Sequence, residues 1–146
     1  VASWIERIGE ESPFRQEIDK NLATFNDANS PWHRTVRASG GEAYDVYLVD
    51  ENNQLIAGLY GEVYWDGLEI DRLWVNEAYR HTGLGTQMLN KALKFGRSRK
   101  VSHAHLTTFS FQAPEFYLKH GFKVVGEMVD MPPGHSKFWL RKELNE

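Results

Sequence analysis

The sequence predicts a mixed α/β (α+β) domain built on a central, mostly antiparallel sheet of six to seven strands flanked by helices. Three observations carry this. Short runs rich in β-branched, aromatic and other bulky apolar residues recur between turn signals, at 43–50, 55–65, 68–75, 101–109, 122–129 and 136–142. Apolar residues switch to helical spacing between the third and fourth of these runs, at Leu84, Met88, Leu89, Ala92, Leu93 and Phe95. Between the second and third runs stands Asp66-Gly67, a two-residue hairpin signal.

Taken in order, residues 1–10 have room for a first strand. Ser12-Pro13 then offers an N-cap followed by proline at the first helical position. Phe14, Ile18, Leu22 and Phe25 make one apolar stripe, which predicts a helix to about residue 26, with loop from Asn26 to Pro31. Strands at 43–50 and 55–65 are separated by the turn Glu51-Asn52-Asn53, and the Asp66-Gly67 hairpin leads into the strand at 68–75. After the long helix come a strand at 101–109 and a short helix carrying Ala113, Phe116, Tyr117 and His120. That helix stops at Gly121, a residue suited to the left-handed position after a helix. The last two strands are joined by Asp130-Met131-Pro132-Pro133-Gly134-His135.

Bulk properties narrow the function. A chain of 146 residues without repeat or linker reads as one domain, 1–146, large enough for a core. A net charge of −3 gives no field that draws it to nucleic acid or an anionic membrane, so neither is expected as a partner. No apolar run approaches a membrane span and the first residues do not form a signal peptide, so the cytoplasm is the expected location. The absence of cysteine removes disulfides and thiolate chemistry. His103 and His105 share a strand face, but no cysteine or third ligand accompanies them, so no metal is expected.

The most specific segment is Arg80-His81-Thr82-Gly83-Leu84-Gly85-Thr86, between the 68–75 strand and the long helix. Free N–H groups at a helix start, together with the positive end of the helix dipole, attract phosphate. A P-loop needs a Lys after its last glycine, and Thr86 and Gln87 follow Gly85. A dinucleotide fingerprint needs a third glycine at position 88, which is Met. The pattern that does match is R/Q-x-x-G-x-G/A. About thirty residues later comes Ala113-Pro114-Glu115-Phe116-Tyr117-Leu118-Lys119-His120-Gly121-Phe122, matching A-x-x-F-Y-x-x-x-G-F.

Two such motifs in this order resemble those of the GNAT family of N-acetyltransferases, in a small, single-domain, bacterial-type form. The resemblance implies a sheet splayed between strands 4 and 5, which are the 68–75 and 101–109 runs when a strand in 1–10 is counted. It implies acetyl-CoA as cosubstrate, with the pantetheine arm on the backbone of Leu73, Trp74 and Val75. The pyrophosphate would lie on Arg80, His81, Thr82, Gly83, Leu84, Gly85 and Thr86. Ser110 stands where many relatives carry an Asn that bonds pantetheine, and His81 where many carry Gly.

The implied activity is transfer of an acetyl group to a primary amine of a small molecule or protein, by direct attack in a ternary complex. Glu69, fourteen residues before Gly83, holds the spacing of a glutamate general base in the family's histone-modifying members, with Asp71 the alternative on the same strand face. Tyr117 matches the tyrosine that protonates the leaving thiolate. Aromatics at Tyr60, Tyr64, Trp65, Phe109 and Phe111, with Glu62 near Glu69 and Asp71, suit an acceptor pocket for a cationic amine. A second reading is an acyl-CoA-binding sensor or scaffold without turnover. Relatives are often dimers, which leaves a homodimer open.

Overall fold

The computed structural model describes residues 1–145. The chain divides into two compact units, one formed by residues 1–40 and the other by the rest. The first unit holds α1 (Phe14–Asn29) and α2 (Pro31–Ser39). The first ten residues form no strand, which corrects the expectation for that segment. Pro13 already has helical angles (φ −55°, ψ −23°), and the Phe14 N–H donates to Ser12 Oγ at 3.1 Å, so Ser12 caps α1 as expected. The expected loop from Asn26 to Pro31 is mostly helix. Ser30 breaks the run with extended angles and its side chain accepts from the His33 N–H, while Pro31 starts α2.

The second unit is a six-stranded sheet in the order β1-β2-β3-β4-β6-β5. Its strands are β1 (Glu42–Val49), β2 (Leu55–Tyr64), β3 (Gly67–Val75), β4 (His103–Phe109), β5 (Lys123–Val129) and β6 (Ser136–Glu143). Every neighbouring pair is antiparallel except β3 and β4, which α3 (Leu84–Ser98) connects. The α3 stripe of Met88, Leu89, Ala92 and Leu93 is buried with Ala57, Leu59, Leu68, Ile70, Ala104, Leu106 and Leu140, forming one core on one face of the sheet. Gly96 belongs to that seam, because a Cβ there would come within 3.2 Å of both Leu68 and Leu144. The short helix α4 (Pro114–Lys119) adds Phe116 and Tyr117 to the edge of this core.

Two departures from the expected strands shape the site. Tyr64 pairs with Gly67, so the hairpin loop is Trp65-Asp66 rather than Asp66-Gly67, and Trp65 takes the positive φ (51°). Gly67 belongs to the strand for a packing reason: a Cβ there would lie 2.8 Å from His103 Nε2. The second departure is a bulge. Tyr60 faces Arg72 and Gly61 faces Ile70, leaving Asp71 as the extra residue. Alternation therefore slips by one, so Leu68 and Ile70 face the core, then Leu73 and Val75 do.

Candidate active site

β3 and β4 pair only over Gly67 to Glu69 with His103 to His105. Beyond Glu69 the strands part, and the β3 edge over Leu73, Trp74 and Val75 pairs with β2 alone. This is the expected splay, one strand earlier in the count because residues 1–10 form no strand. An unpaired strand edge offers backbone N–H and C=O groups to an extended ligand.

The loop after β3 turns through a single 3-10 turn (Glu77–Tyr79) before α3. His81 (φ 62°) and Gly83 (φ 86°) are left-handed, so the position where many relatives carry Gly requires that conformation and His81 adopts it. Thr82 Oγ1 donates to the Tyr79 carbonyl at 2.5 Å and Arg80 Nε to the Val75 carbonyl at 3.1 Å, tying the loop to the end of β3. The first α3 bond runs from the Gln87 N–H to the Gly83 carbonyl. Among the described residues, the backbone N–H groups of His81, Thr82, Gly83, Leu84, Gly85 and Thr86 have no hydrogen-bond partner. Consecutive free donors at a helix N-terminus make an anion cradle.

The two glycines act differently. A Cβ on Gly83 would meet nothing within 4 Å, so only its φ demands glycine. Gly85 is a packing position: its Cβ would lie 3.3 Å from the Phe116 ring and 4.0 Å from Leu73 Cδ2. That contact joins the loop, the free edge of β3 and α4 in one place. Phe116 is thus the residue through which the two sequence motifs meet.

α4 ends in a Schellman motif, with the Gly121 N–H bonded to the Leu118 carbonyl and the Phe122 N–H to the Tyr117 carbonyl. Gly121 (φ 89°) takes the left-handed position as expected. The Tyr117 ring sits edge-on to Phe116 and Phe122, at 5.1 and 5.8 Å between centroids. Burial pushes its phenol up to about 12, so it stands protonated at neutral pH. Gln112, which the sequence reading passed over, fixes the approach to α4: its Oε1 accepts from the Phe109 N–H (2.9 Å) and from the buried Thr108 hydroxyl (3.1 Å).

The carboxylates lie on the sheet face opposite the α3 core. Glu69 stands directly across from Glu62 on β2 and in register with His105 on β4. Tyr64 donates its hydroxyl to Glu69 Oε2 at 2.5 Å. Asp71 is delivered to the same side by the bulge, and its carboxyl is held above its ordinary range by burial and by the charges of Glu69 and Glu62. Farther along this face, Tyr47 and Trp74 flank the bare backbone of Gly58, with Asp45, Tyr60 and Arg72 beside them. Of the aromatics expected near an acceptor, Tyr60, Tyr64 and Trp65 fall on or at the tip of this hairpin, while Phe109 and Phe111 stack on each other at 5.5 Å at the end of β4.

Ser110 is placed with the β5–β6 turn, its hydroxyl accepting from the Ser136 N–H at 3.0 Å and lying 3.4 Å from His135 Nδ1. His103 and His105 sit 5.4 Å apart between ring centroids, and among the described residues no third His, Cys, Asp or Glu joins them in a metal-holding group. Among the described residues no helix is long and apolar enough to cross a membrane.

Known proteins share this fold. A profile of the acetyltransferase (GNAT) family matches residues 8–122. A blasticidin-S acetyltransferase of Streptomyces morookaense is 35% identical over 130 residues, covering 84% of this chain and 96% of that protein. The crystal structure of an acetyltransferase from Bacillus cereus ATCC 14579 superposes with a TM-score of 0.79 at 32% identity, covering 95% of this chain and 98% of the other. An aminoglycoside 6'-N-acetyltransferase complexed with coenzyme A has the same fold, with a TM-score of 0.63 at 17% identity and 97% of each chain covered.

Proposed function

We infer that this chain, which belongs to the acetyltransferase (GNAT) family and is an acetyltransferase, takes acetyl-CoA as donor and a primary amine of a small molecule as acceptor. Acetyl transfer is favoured over a binding module without turnover, since the chain covers nearly all of a relative named for that activity. The observation that carries the donor is the run of six N–H groups from His81 to Thr86 without a partner among the described residues, beside a strand edge that β4 abandons. Those donors suit a pyrophosphate, and the edge at Leu73, Trp74 and Val75 suits the amides of a pantetheine arm. Acetyl-CoA supplies an activated thioester. Arg80 adds positive charge at the loop, and Ser110 lies at the end of β4, the other lip of the splay.

Glu69 is assigned as the base that accepts the amine proton, and Tyr117 as the donor that meets the sulfur. An alkyl amine ionises about three units above neutrality, so freeing it at pH 7 costs roughly 4 kcal/mol without a base. Glu62, Glu69 and Asp71 together favour a cationic acceptor over an anionic one. The first acceptor to try is blasticidin S, because of the relative's name. The test is release of free CoA thiol from acetyl-CoA in the presence of blasticidin S, aminoglycosides, polyamines and amino acids. The expected result is thiol release that depends on a cationic small amine, with the acetylated product seen by mass spectrometry. Release with none of these amines, although CoA binds, would contradict the acceptor class.

A further inference from the structure

We propose that Tyr64 is the positioning residue of the base: its hydroxyl holds the Glu69 carboxylate in one orientation. The inference rests on the reading of Glu69 as base and assigns work to one residue beside it.

The hairpin register builds the contact. Glu62 pairs with Glu69 and Tyr64 with Gly67, so Tyr64 is the diagonal neighbour of Glu69 on the same face, within reach of a long side chain. Gly67, directly opposite Tyr64, has no side chain to obstruct the ring. The ring is boxed edge-on by Trp65 at 5.1 Å and His105 at 6.3 Å between centroids, which leaves the hydroxyl aimed at Glu69 Oε2, 2.5 Å away. A phenol donated to a carboxylate favours the charged form.

The surroundings explain why a donor is needed there. Glu69 is faced by Glu62 from β2, by Asp71 and Arg72 from its own strand, and by His105 from β4, with Arg141 of β6 next along the same register row. Arg141 is engaged by Glu143 at 2.6 Å, and Arg72 Nη1 donates to the Asp71 carbonyl at 2.7 Å. These neighbouring carboxylates repel one another, and the Tyr64 hydroxyl gives the Glu69 carboxylate a fixed donor among them, while burial and the charges of Glu69 and Glu62 raise the Asp71 carboxyl. Tyr64 itself keeps its proton, because burial and Glu69 raise its phenol well above the ordinary value.

The test compares Tyr64→Phe and Glu69→Gln in the full chain, following kcat/KM for the acceptor against pH. Tyr64→Phe keeps the ring and removes the donor, so the acid limb of the profile is expected to move up by about one pH unit. That means about a tenfold loss on the acid side, recovery at higher pH and an unchanged KM for acetyl-CoA. A uniform loss in Tyr64→Phe with the limb unmoved would overturn the positioning role and leave only packing. If Glu69→Gln itself keeps the full rate and profile, the base reading has failed, a result distinct from that one.

Discussion

Glu69→Gln is expected to lower kcat at neutral pH by between about a hundred- and ten-thousand-fold, the range that positioned general bases contribute. That corresponds to roughly 3–5 kcal/mol of lost transition-state stabilisation. The substitution conserves size, and the amide oxygen can still accept from Tyr64, so the hairpin keeps its shape. The KM for acetyl-CoA should hold, because the donor's proposed contacts lie on the 80–86 loop and the far end of β3. The deficit should shrink as pH rises towards the amine's own ionisation, where free amine no longer needs a base. Steady-state kinetics at saturating acetyl-CoA across pH give the answer. A rate within threefold of wild type at pH 7 would remove Glu69 from the chemistry and leave water as the proton acceptor.

Tyr117→Phe is expected to cost about tenfold to a hundredfold in kcat, less than loss of the base, for a reason that lies in its burial. With its phenol pushed up to about 12, Tyr117 is a poor acid. A thiol ionises near 8.5, so complete proton transfer to the departing sulfur would run uphill by roughly 5 kcal/mol. The residue therefore acts as a hydrogen-bond donor to developing negative charge, an effect that depends on how much charge the sulfur carries. An acetyl donor with a more acidic thiol should consequently lose less on Tyr117→Phe than acetyl-CoA does. Equal losses with both donors would mean that the hydroxyl only helps to hold α4. The Phe116 and Phe122 ring contacts survive the substitution, so a folding defect is not expected.

The long periodic elements were legible in the sequence because local pattern and tertiary burial agree in them. The α3 stripe, the strands on either side and the Gly121 stop all rest on spacing that the core then uses. What escaped depends on register. Reading Asp66-Gly67 as the loop misses that Gly67 is required by His103, a contact from a strand thirty-six residues away. The bulge at Asp71 had a faint signal, since apolar residues step from Leu68 and Ile70 to Leu73 and Val75 with one interval of three. The Tyr64–Glu69 bond follows only once that hairpin is registered, so no motif announces it. In the first unit, Ser30-Pro31 repeats the cap signal of Ser12-Pro13 and starts α2, yet the polar residues around it read as loop.

Substrate-side detail was the least legible because it is written in side chains that share a face without sharing a spacing. Glu62, Tyr64 and Glu69 come from two strands and meet only through the β2–β3 register. The proposed donor side differs, since its groups are backbone amides presented by one contiguous loop. That contrast explains why the cosubstrate follows from a short motif and the acceptor does not.

The anion cradle at the start of α3 is therefore the feature to measure, by titrating coenzyme A into isotopically labelled protein and following the backbone amides by NMR. The account predicts that the amides of His81, Thr82, Gly83, Leu84, Gly85 and Thr86 shift together and saturate at one concentration, with those of Leu73 to Val75 moving alongside. If coenzyme A binds while these amides stay where they are, the ligand sits elsewhere and the assignment of the loop is wrong.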